Sequence, residues 1–192
     1  MFVATVRSEY RTFKLPEIIR FSAVGDKAQY RRILDDASTV EGCFFKPTND
    51  LTSTDPQAYQ LLQCDIDGHS RSIRREHTET AQTYTVSPGI TPEQLRAGVN
   101  IAYTVRTLIR RHGHLFFLGF DAAKGLRANV TYTSDCGIRE VNFLDFIATS
   151  QQVRLAESPN QAPTRSVRVS FDGWTLPRSG AAVVWVLDRE LQ

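Results

Sequence analysis

Two groups of basic residues carry the strongest suggestion of chemistry in this chain. Arg71, Arg74 and Arg75 lie in one stretch with His69 and His77 at its ends. Arg106, Arg110 and Arg111 run into His112 and His114, and no acidic residue occurs between Gln94 and Phe120. Guanidinium groups hold phosphate or carboxylate through paired, planar hydrogen bonds. Two neighbouring strands bearing these residues would form an anion site. On a strand, Arg71 and Arg75 share a face and Arg74 points the other way. The candidate ligand-binding set is therefore Arg71, Arg75, Arg106, Arg110, Arg111 and His112. The competing reading is a solvated sheet face whose arginines pair with Glu76, Glu79 or Asp65 across strands.

Other constellations are weaker. His112-Gly113-His114 has the spacing of two imidazole ligands on a strand. The residues that follow, Leu115–Phe120, supply no acidic ligand, and Arg110 and Arg111 oppose a cation, so no metal is expected. Cys136 acts as a nucleophile only if the fold brings a histidine to it, and a lone cysteine is more often a small core or turn residue. Asp65 and Asp67 flank Ile66, but Asp67 with Gly68 reads as a turn. The chain has no G-x-S-x-G elbow and no phosphate-binding glycine loop, so no cofactor is expected. Trp174 follows Asp172-Gly173 in a polar turn, where it either anchors a ligand or plugs the open end of a sandwich; the second is favoured.

Composition limits the partners. With a formal charge of +2 over 192 residues, neither nucleic acid nor a membrane surface is demanded. The longest apolar runs, Leu115–Phe120 and Ala181–Leu187, have strand length, so no membrane insertion is expected. Cys43, Cys64 and Cys136 form an odd set without CxxC spacing, and Met1–Arg7 has no basic region before an apolar core. Reduced thiols in the cytoplasm are the expectation. Lysine appears only as Lys14, Lys27, Lys46 and Lys124; arginine supplies the other strong cations.

The elements that must position these groups are mostly strands. Val99, Ile101, Tyr103, Val105 and Ile109 alternate with polar residues, and Ala128, Val130 and Tyr132 do the same after Leu115–Phe120. A period of two marks half-buried sheet, and three such runs with short breaks predict an antiparallel meander. Further strands are expected over Met1–Thr12, Ile18–Val24, Val40–Phe45, Tyr59–Ile66, His69–His77, Gln82–Val86, Ile138–Ile147, Ser166–Phe171 and Ala181–Leu187. Asp67-Gly68 fits a two-residue hairpin turn. Asp26 with Gln29, and Thr91-Pro92 with Gln94, read as capping boxes opening one helix and one short helix. Gln151–Thr164 and Gly173–Gly180 read as connections. Lys46–Gln57 is loop chemistry.

The fold class that follows is mostly β: an antiparallel sandwich, with a barrel as the alternative, carrying an N-terminal αβ segment. Residues 1–57 form a strand–helix segment packed on a sandwich of residues 58–192. Three functions fit. The first is a non-enzymatic ligand-sensing or regulatory module for a small anionic or nucleotide-like ligand. The second is an assembly subunit that binds a protein partner through a sheet face or edge. The third is a hydrolase with an unrecognised site. The missing motifs favour the first.

Overall fold

The computed structural model describes residues 1–111, 113–119, 121–146, 153–157, 164–177 and 179–190, with backbone only at 117, 118 and 189. The first half of the chain forms β1 (Phe2–Thr12), β2 (Ile19–Val24), α1 (Lys27–Asp35), β3 (Thr39–Phe44), β4 (Tyr59–Ile66), β5 (His69–Ser70), β6 (Ile73–His77), β7 (Ala81–Val86) and α2 (Pro92–Ala97). The second half forms β8 (Val99–Ile109), β9 (His114–Leu118), β10 (Ala123–Thr133), β11 (Ile138–Asp145), β12 (Arg154–Glu157), β13 (Thr164–Ser170), β14 (Trp174–Thr175) and β15 (Gly180–Leu187).

Among the described residues these strands make three sheets. The large one runs β12-β13-β10-β1-β8-β4-β5, with β14 on β10. A second runs β3-β2-β7-β6 and a third β11-β15-β9. Phe2, Val6 and Ser8 share the inner face of β1 and oppose Ile109, Val105 and Tyr103 of β8. The two smaller sheets pack on that same face. Phe21 of β2 meets Tyr103 with ring centroids 4.9 Å apart, and Trp185 of β15 meets Phe2 at 6.2 Å. The arrangement is a sandwich with one continuous layer and one divided layer, and no sheet closes into a barrel.

Local signals match the elements they mark. Asp67 and Gly68 adopt φ of 50° and 77°, the left-handed pair of a type I′ turn. Thr91 and Gln94 form a reciprocal capping box. At α1 half of the expected box is present: Asp26 accepts from the Gln29 backbone at 2.8 Å, while the Gln29 side chain accepts from Thr80 at 3.1 Å.

Pairing departs from the expectation in three places. β8, β9 and β10 are not a meander: β8 and β10 both flank β1, and β9 pairs with β15. The His69–His77 stretch is split, β5 joining the large sheet and β6 the second one. The expected connections contain short strands, β12 within the first and β14 within the second. The parallel β2–β3 pair is bridged by α1, which buries none of its residues and rests Tyr30 against Phe44 at 5.9 Å. Residues on both sides of Gln57 share sheets, since β1 lies between β8 and β10 and β2 pairs with β7.

Candidate functional site

Division of the second layer leaves a space over the large sheet. β3 is an edge of one small sheet and β9 an edge of the other. Between them lies a cavity of about 660 Å³. Its floor is the inner face of β1 and β8, with Val6, Ser8, Tyr10 and Thr12 beside Tyr103, Val105 and Thr107. Glu41 and Cys43 of β3 pair with Phe21 and Ala23 of β2 and share their side of the sheet, and both line the cavity, as do Leu115 and Phe116 of β9; Thr39, which pairs with Arg20 before a register shift in β3, lines it as well. Lys14, Lys27 and Lys46, all exposed, line its mouth. Among the described residues no ion pair engages these lysines.

The inner wall is a cluster of hydroxyls around one carboxyl. Tyr59 donates to Glu41 Oε1 at 3.4 Å, and the Tyr103 phenol also bonds Glu41. Glu41 is enclosed by protein atoms yet keeps accessible surface, as a cavity wall does. Burial pushes its carboxyl up from 4.5 to about 7, and the two phenols pull it partly back; no cation contributes. The Cys43 thiol is pushed up to about 12 by burial first and by the Glu41 charge second, against a bond with Thr107. It is therefore a thiol and not a thiolate near neutrality. Burial foremost, with nearby negative charge, raises the Tyr10, Tyr59 and Tyr103 phenols, which stay protonated. Thr39, only 2% exposed, leaves its Oγ1 without a hydrogen-bond partner.

No family model, curated protein or solved structure matches this chain. What the site does must therefore be argued from its own geometry. It offers apolar surface, hydrogen-bonding groups on one wall and positive charge at the opening, the make-up of a pocket for a small organic molecule.

The arginines expected to form an anion site have other neighbours. Arg75 donates from Nε to Gln82 Oε1 at 3.1 Å and from Nη2 to the Thr54 carbonyl at 2.7 Å. Arg106 donates to Gln60 Oε1 at 2.8 Å, and both Arg75 and Arg106 act on the Tyr84 phenol. Arg71 lies by Gly89 and keeps a buried Nε without a partner. The Arg111 guanidinium sits 5.5 Å over the Phe2 ring, and the Arg111 carbonyl accepts from Trp185 Nε1 at 2.6 Å. Arg110 lines the cavity, whereas Arg71, Arg75, Arg106 and Arg111 do not. His112 lies outside the described residues. Among the described residues none of the cross-strand ion pairs weighed against the anion site forms: Arg74 meets Glu76 at 3.1 Å on its own strand, and Asp65 meets Arg7 at 3.9 Å.

Two other expectations resolve differently. Trp174 does not plug an end of the sandwich; it is 53% exposed and stacks on Phe13 at 5.7 Å. Cys136 Sγ lies 3.4 Å from Thr133 Oγ1, its hydrogen-bond contact among the described residues. Among those residues no group of three acidic, histidine or cysteine side chains is placed to hold a metal. The sequence did carry a signal for the cavity. The inner positions of β1 change from Phe2, Ala4 and Val6 to Ser8, Tyr10 and Thr12, and Glu41 stands on a short apolar strand.

Proposed function

We propose that this chain is a non-enzymatic binding module that holds a small amphipathic organic anion in the cavity between β3 and β9. The observation that carries the reading is the cavity itself, with three of the chain's four lysines at its mouth and no carboxylate partner for them among the described residues. Its volume of about 660 Å³ falls inside the range of roughly 300–1,000 Å³ usual for ligand pockets. Val6, Val105 and Leu115 take the apolar body, and the ammonium groups of Lys14, Lys27 and Lys46 raise the local concentration of an anionic head. The non-enzymatic part of the reading rests on the sequence, which has no G-x-S-x-G elbow and no phosphate-binding glycine loop.

Fluorescence titration with anilinonaphthalene sulfonate, an amphipathic anion, tests this. Saturable binding is expected, weakened when Cys43→Phe narrows the cavity and weakened about tenfold when Lys14, Lys27 and Lys46 are all changed to Glu. Circular dichroism checks that each variant folds. Binding that survives Cys43→Phe unchanged would overturn the reading.

A further inference from the structure

We infer that the inner wall of the cavity receives an organic ammonium group, so that the ligand is an amphipath with an acid at the mouth and an amine at the inner end. This rests on the cavity reading and adds the chemistry of the inner end. Two observations point the same way.

The first is charge. Glu41 is the acid of the inner wall, and its hydrogen-bond partners, Tyr59 and Tyr103, donate to it without neutralising it. Among the described residues no ion pair engages it, although three lysines and Arg110 line the same cavity. An enclosed carboxylate without a cationic partner is unfavourable, and an incoming ammonium supplies that partner. An anionic group there would instead meet Glu41, and Asp121 also lines the cavity.

The second is the aromatic surround. Tyr10, Tyr59 and Tyr103 all line the cavity, and Tyr10 meets Tyr103 edge-on at 6.5 Å and 82°. Ring faces attract an ammonium, most strongly where water is excluded. The exposed lysines explain why the ligand also carries an acid, since a simple cation is repelled at the opening.

Calorimetry on the full chain with octanoate and ω-aminooctanoate separates the two ends. The probes share an acid and a chain, and differ by an ammonium in place of a hydrogen at the far end. Wild type is expected to bind ω-aminooctanoate about tenfold tighter than octanoate. Glu41→Gln is expected to abolish that preference while octanoate binds no more weakly. Octanoate binding wild type as tightly as the amino acid, or a preference that persists in Glu41→Gln, would overturn the inference and leave the cavity reading standing. Failure of both probes to bind at millimolar concentration would remove the cavity reading and this inference together. The wild-type comparison decides the matter even if Glu41→Gln does not fold.

Discussion

Gln82 and Glu41 are both polar side chains inside the sandwich, yet their surroundings are opposite. Gln82 is fully buried and uses its whole amide. Its Nε2 donates to the Ser53 and Asp55 carbonyls at 2.6 and 2.9 Å, and its Oε1 accepts from Arg75 at 3.1 Å and Tyr84 at 3.2 Å. This knot fastens the loop between β3 and β4 onto β7, helped by Ser53, whose hydroxyl donates to the Thr80 carbonyl at 2.7 Å. Around Glu41 the protein leaves chemistry unfinished: a carboxyl raised by burial, with open volume beside it. A polar group satisfied by its own chain holds a fold together, whereas one left facing space is available to a ligand.

The contrast is sharpest at Gln82. Gln82→Leu strands two carbonyls and the Arg75 Nε donor, while the Tyr84 phenol keeps the Tyr59 carbonyl, and should lower stability by about 3 kcal/mol in urea unfolding. Probe binding in the cavity should be untouched. A loss below about 1 kcal/mol would show that the loop finds equivalent partners in water.

At Glu41 the sign reverses. Its pKa rises from 4.5 to about 7 on folding, so between those values the native protein keeps a proton that the unfolded chain has released. Stability therefore falls as pH rises through that window and levels off above it. Glu41→Gln should flatten the slope and, above the window, exceed the parent by up to about 3 kcal/mol. Unfolding curves across the window read this directly, and a parent whose stability rises there would contradict it.

The smallest effect compares two threonines. Thr107 donates to the Ala58 carbonyl at 3.0 Å, and Thr107→Val should cost about 1 kcal/mol. Thr39→Val removes a hydroxyl with no partner and should be neutral or stabilising by up to about 1 kcal/mol. Equal losses at the two sites would mean that Thr39 is not an orphan in solution.

The same division between local and distant partners governs what could be read in advance. The Asp67-Gly68 turn and the Thr91 box are set by residues within four positions of one another, and both are present. Inner faces were legible as well: Val99, Ile101, Tyr103 and Val105 are buried as their alternation implied. Pairing was not, because β8 and β10 follow each other closely in the chain and yet flank β1 from its far end. Nor did the arginines announce their partners. Arg75 was a candidate for an anion, and the structure gives it to Gln82 and the Thr54 carbonyl.

The sequence alone determined which side chains turn inward, where the tight turn and the helix starts fall, and that strands dominate. These follow from backbone periodicity and short-range hydrogen bonds. Only the tertiary structure decided that the second layer is two sheets, that their edges β3 and β9 stand apart over β1 and β8, and that Glu41 faces the gap. Ladder hydrogen bonds join any backbone to any other, so alternation specifies a face without naming a neighbour. A cavity is formed by neighbours that do not meet, and no single stretch of residues encodes it.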